Sequence, residues 1–66
     1  MELIKMSVVK SKEYKIAFNA CQMSFGFVCQ EREDTVYLAC FETGDAEIIR
    51  ETLEEVGSKY EGTWQP

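Results

Sequence analysis

Ser11-Lys12-Glu13-Tyr14-Lys15-Ile16-Ala17-Phe18-Asn19-Ala20-Cys21-Gln22-Met23-Ser24-Phe25-Gly26 is the stretch that decides the fold of this chain. Read as a strand, Tyr14, Ile16, Phe18 and Ala20 alternate with Lys15, Ala17, Asn19 and Cys21. Read as a helix, Tyr14, Ala17, Phe18, Cys21 and Phe25 form one stripe at i, i+3, i+4, i+7 and i+11. Lys12, Lys15, Asn19 and Gln22 then lie on the far side. Periodicity alone does not separate the two states. The ends do. Ser11 stands where an N-cap belongs, because its hydroxyl can accept a free N–H of the first turn. Gly26 follows the stripe and is a candidate for a left-handed C-terminal stop. A helix over residues 12–23 is therefore expected.

Working outward, Glu2 to Lys10 reads as a strand, with Ile4, Met6 and Val8 on one face and Leu3, Lys5, Ser7 and Val9 on the other. Phe27–Glu31 and Thr35–Glu42 read as two more, joined through the charged turn Glu31-Arg32-Glu33-Asp34 into an antiparallel hairpin. Val36, Leu38 and Cys40 line one face of the second of these strands, and Tyr37, Ala39 and Phe41 line the other. A strand apolar on both faces belongs in the middle of its sheet.

Thr43-Gly44-Asp45 opens a helix expected over about Asp45–Val56. Asp45 and Glu47 put negative charge at its positive end, Ala46, Ile49, Leu53 and Val56 make its apolar stripe, and Gly57 stops it. Arg50 is spaced to pair with Glu47 or Glu54. Tyr60–Trp64 is long enough for a short last strand. The resulting order, βαββα with a short final strand, predicts a single α+β domain over residues 1–66. It is the ferredoxin-like split βαβ, with two helices on one face of an antiparallel sheet. The alternative makes residues 13–22 a strand, giving a four-stranded antiparallel meander capped by one C-terminal helix. Both leave one sheet face open.

Leu53-Glu54-Glu55-Val56-Gly57-Ser58-Lys59-Tyr60-Glu61-Gly62 resembles the closing helix and strand of a small family of sulfur or selenium carriers. The resemblance implies the same ferredoxin-like fold. The Cys-Gly pair after a serine run that marks that family has no counterpart, since Cys21, Cys29 and Cys40 precede Gln22, Gln30 and Phe41.

A chain of 66 residues, 45% hydrophobic, is globular in composition and near the lower size for folding alone. A core this small seldom contributes more than ~3–5 kcal/mol, which directs attention to staples and oligomers. The three cysteines are the staple candidates. Their odd number, the lack of a Cys-x-x-Cys pair and the absence of a secretory leader pattern point to reduced core thiols in a cytoplasmic protein. No apolar stretch approaches a membrane span, so no membrane partner is expected.

The chain has no histidine, which excludes Ser-His-Asp and Cys-His catalysis, histidine zinc sites and an imidazole pH switch. Three dispersed cysteines lack the knuckles that pre-arrange thiolates around a metal, and the isolated glycines cradle no phosphate. The residues therefore imply no enzyme, metal or cofactor. Phe27, Tyr37 and Phe41 invite comparison with an RNA-stacking sheet. A net charge of −5 and the missing Arg-Gly-aromatic motif argue against direct nucleic-acid binding.

Charge is the remaining signal. Residues 1–30 carry four lysines against two glutamates, whereas residues 31–66 carry ten acids against Arg32, Arg50 and Lys59. Such asymmetry bears on steering and partner choice. Glu47, Glu51, Glu54 and Glu55, with Glu31, Glu33 and Asp34 of the turn, form the candidate acidic face. The expected function is a small non-enzymatic protein-binding module, an inhibitor or modulator docking on a basic nucleic-acid-handling protein, of the sort phages and mobile elements use against host nucleases. The alternative is an ACT-like or sulfur-carrier-like module that binds a small ligand or persulfide and forms a homodimer through its sheet. Phe27, Tyr37 and Phe41 would then be the interface.

Overall fold

In the computed structural model, which describes residues 1–66, the elements run β1 (Glu2–Ser7), α1 (Lys12–Ser24), β2 (Phe27–Glu31), β3 (Thr35–Cys40), α2 (Asp45–Glu54) and β4 (Lys59–Thr63). The deciding stretch is a helix. Ser11 is extended and its Oγ accepts the Tyr14 N–H at 3.1 Å, satisfying one of the first-turn donors. Tyr14, Phe18 and Cys21 are buried along the expected stripe, and Ala17 and Phe25 pack partly against the same core.

The far end of α1 differs from expectation. Gly26 has no positive φ, and the left-handed stop is absent there. Phe25 is extended instead, at φ −128° and ψ 148°, with its N–H donating to the Cys21 carbonyl at 2.9 Å. The reason is tertiary. Phe25 is drawn onto the core, and the Gly26 carbonyl accepts the Phe41 N–H at 3.3 Å, which extends the hairpin ladder by one step.

The sheet order is β2-β3-β1-β4 with every pair antiparallel, which is the ferredoxin-like split βαβ arrangement. Strand β3 is interior, as its two apolar faces imply. Register brings Ile4 opposite Leu38 and Met6 opposite Val36, so these side chains face the helices together. Val36, Leu38, Cys40, Met6, Ile49 and Leu53 are all at 0% exposure.

Two boundaries also move. Strand β1 stops at Ser7 rather than Lys10, because β3 begins at Thr35 and leaves it no further partner; Val8 N–H makes the last bond in register, to the Asp34 carbonyl at 2.8 Å. Helix α2 ends at Glu54, and the next residues tighten into a Schellman motif. In that motif Ser58 N–H bonds Leu53 O at 3.0 Å, Gly57 N–H bonds Glu54 O at 3.2 Å, and Gly57 is left-handed at φ +94°. Gly57 thus stops the helix as its position implies.

Two local determinants follow. Ser11→Ala should lower unfolding stability by about 1 kcal/mol while Ser11→Asp retains it. Gly57→Ala should cost about 1–2 kcal/mol through the left-handed backbone. Urea denaturation followed by circular dichroism checks both, and a neutral Ser11→Ala would show that the cap does not hold α1.

Candidate functional site

Helix α2 lies over β1 and β4, burying Ala46, Ile49 and Leu53. That fixes what it turns outward: Glu47, Glu51, Glu54 and Glu55 are all exposed. Between Asp45 and Glu55 there are five carboxylates and one cation, Arg50. Arg50 does not neutralise the face evenly. Its Nε is 3.4 Å from Glu54 and its guanidinium carbon is 3.9 Å from the Tyr60 ring centroid, so the charge is pinned towards β4. Glu47, Glu51 and Glu55, spaced at i, i+4 and i+8, have no cation within ion-pair distance.

This placement works against the helix. The last turn has no basic residue, and acids there oppose the negative end of the helix dipole. Glu51 and Glu55 repel across one turn, by roughly a few tenths of a kcal/mol. The N-terminal end is better matched: Asp45 and Glu47 occupy the first turn, and Glu2 Oε1 accepts the Gly44 N–H at 3.2 Å. Beside this face, Glu2, Ile4, Ala46, Glu47, Arg50 and Tyr60 line a shallow groove of about 230 Å³.

The hairpin acids form a separate patch. Glu31, Glu33 and Asp34 belong to the turn between β2 and β3, whereas α2 covers the β1–β4 half of the sheet, about two strand spacings or ~10 Å away. Lys10 attends the turn, with Nζ 2.9 Å from the Arg32 carbonyl and 4.0 Å from Glu31. The Asp34 carboxylate accepts the Thr35 hydroxyl at 3.1 Å. The seven acids are thus two surfaces: one of uncompensated glutamates on α2 and one partly compensated turn.

The sheet aromatics are also divided. Phe27 faces the helices, packed edge-on against Phe18 at 6.0 Å, and so lies on the opposite face from the one expected for an open-sheet interface. Its register partner is the buried Cys40, which fixes that face. Tyr37 lies on the open face, and Phe41, half exposed, reaches the Gly26 position. Trp64 joins Tyr37 there. Sequence reading assigned it only to the last strand, and a side chain beyond a strand end gives no signal of the direction it takes.

Cys21 and Cys40 are buried and Cys29 is partly so, all as free thiols. Burial raises the pKa of each, with Glu31 adding to the effect at Cys29. Cys40 goes from 9.0 to about 11 by burial first, then through Asp45, Glu2 and Cys21. No group of three or more Cys, Asp or Glu side chains is arranged to hold a metal ion. No helix is long and apolar enough to cross a membrane. Comparison with protein-family models, curated proteins and solved structures finds no match in any of the three.

The raised thiols set an alkaline limit. Their folded pKa exceeds the unfolded one, so the stability they hold is complete below about pH 9 and lost above it, for Cys40 as pH rises towards 11. Tyr14, raised from 10.0 to about 12 by burial first and then by Glu31, extends the loss upward. Thermal melts should be flat to about pH 9 and fall beyond it. Cys40→Ala should be less stable at neutral pH but show a shallower alkaline fall. At neutral pH Cys40 should react with a thiol reagent much more slowly than in denaturant, and equal rates would remove it from the core.

Proposed function

We propose that this protein is a non-enzymatic binding module that acts by docking the glutamate face of α2 on a basic surface of another protein, an inhibitor or modulator of a nucleic-acid-handling partner. The observation that carries the reading is the uncompensated row Glu47, Glu51 and Glu55, of which Glu51 and Glu55 sit at the negative end of a helix that they destabilise. A face selected only for solubility has no need to concentrate acids at the negative end of a helix. One that must meet a cationic groove does. Complementary charge raises the association rate and selects against acidic partners. A basic nucleic-acid groove offers cations in a row, and occupying it blocks the nucleic acid. Phages and mobile elements use small proteins in this way against host nucleases, and the reading places this chain in that functional class.

Charge reversal separates the reading from its competitor. Glu51→Lys with Glu55→Lys exchanges one like-charge pair for another, but it turns the Glu47–Glu51 repulsion into an i,i+4 attraction and puts two cations in place of two acids at the negative helix end, so the double variant should be as stable as the wild type or better by roughly a few tenths of a kcal/mol. Capture from cells carrying the gene should return a basic, nucleic-acid-binding protein with the wild type and not with the double variant. Raised salt and added nucleic acid should each weaken the wild-type complex. Equal capture by both proteins, insensitive to salt, would reject α2 as the interface. Sedimentation of the pure protein then discriminates further: a stable homodimer formed without any partner favours the sheet-mediated alternative.

A further inference from the structure

The face of the sheet away from the helices is not bare. Strand β4 pairs with β1 through Met6 opposite Tyr60 and Ile4 opposite Thr63, with a register shift between them. Gly62 sits in that shift at φ +99°, a backbone state that turns a strand out of line. The chain beyond it crosses the sheet. The Trp64 indole N–H donates to the Leu38 carbonyl of β3 at 3.1 Å, and its ring meets Tyr37 edge-on at 5.6 Å. Lys5 Nζ stands 5.6 Å from the Tyr37 centroid and helps to fix that ring.

The crossing closes one side of a shallow cleft of about 210 Å³, lined by Gln30, Arg32, Tyr37, Trp64, Gln65 and Pro66. Its walls are flat rings, its polar edge is two amides, and its one charged side chain is the guanidinium of Arg32. Arg32 makes no ion pair although Glu31, Glu33 and Asp34 adjoin it in sequence. Lys10 draws Glu31 away, and Asp34 is engaged by Thr35. The guanidinium fork is therefore unpaired beside a rigid aromatic corner, on a sheet face with no helix over it.

We propose that this cleft binds a small planar aromatic carboxylate. Its ring would lie against Tyr37 and Trp64, its carboxylate would take the Arg32 fork, and the Gln30 and Gln65 amides would meet the ring edge. Volume limits the ligand to one ring system of roughly ten heavy atoms. A planar carboxylate matches the guanidinium in two parallel hydrogen bonds. A phosphate dianion is disfavoured, because one arginine faces it from a protein of net charge −5. The site lies on the opposite layer from α2, and its existence does not depend on the docking reading.

The test is a titration of the full ¹⁵N-labelled chain, whose single tryptophan gives one indole N–H signal. Benzoate is the probe, with cyclohexanecarboxylate and benzamidine as controls. Benzoate should move the Trp64 indole and Arg32 side-chain N–H signals saturably, with a Kd on the order of 1 mM. Cyclohexanecarboxylate should bind about 5-fold more weakly for want of a flat face, and benzamidine should not bind. Arg32→Gln, at an exposed position, should keep the fold and weaken benzoate about 10-fold. The Glu51→Lys, Glu55→Lys variant should titrate like the wild type, so that the two proposals fail separately. No saturable shift by about 20 mM benzoate, an unchanged affinity in Arg32→Gln, or equal binding of benzamidine would each overturn the site.

Discussion

The pairing of β3 on both sides is the constraint on which the rest of the structure depends. A strand flanked by β1 and β2 has its backbone groups satisfied within the sheet, so its inward side chains can be fully withdrawn from water. Val36, Leu38 and Cys40 form the floor onto which α1 lowers Tyr14, Phe18 and Cys21 and α2 lowers Ala46, Ile49 and Leu53. Each helix is amphipathic, and neither has another apolar surface to cover. In a domain of 66 residues this one layer of contact is the whole core. The thiols take part in it as small apolar groups, and burial keeps their protons on.

With both helices on one side, the molecule has two unlike surfaces. The helical side exposes the glutamates of α2, whose charge the helix itself does not favour. The sheet side carries Lys5, Arg32, Tyr37 and Trp64, a weakly cationic and aromatic surface on a protein whose net charge is −5. This division follows from folding and not from composition. The first 30 residues hold the lysines, but Lys12 and Lys15 go to the outer face of α1 while Lys5 goes to the sheet.

The geometry also limits what the thiols can do. A persulfide carrier needs an accessible sulfur that ionises near neutrality. Cys21 and Cys40 are enclosed, and Cys29 lies near Glu31, whose charge opposes a thiolate. What residues 53–62 form is the Schellman turn at Gly57, a feature of helix ending and not of sulfur chemistry.

Much of the fold was legible from local physics. The stripe from Tyr14 to Phe25 with Ser11 before it, the acid-led start of α2, the stop at Gly57 and the two-faced apolar pattern of β3 each depend on neighbours a few residues apart, and each is present. Helix caps and side-chain periodicity act over one turn or one strand, so sequence by itself determined them, and with them the order of elements. Tertiary structure alone decided the others. Gly26 is not left-handed, and the helix ends at an extended Phe25 drawn onto the core, with the Gly26 carbonyl taken by Phe41, distant in sequence. Phe27 faces the core because its register partner is Cys40, and register is set by a whole hairpin and not by one residue. The seven acids fall into two patches because sheet order separates the β2–β3 turn from α2. Trp64 lies against Tyr37 because the shift at Gly62 sends the chain across β3, a path that no pattern in Trp64-Gln65-Pro66 encodes. These features arise from contacts between segments far apart in the chain, and such contacts exist only once the sheet has formed.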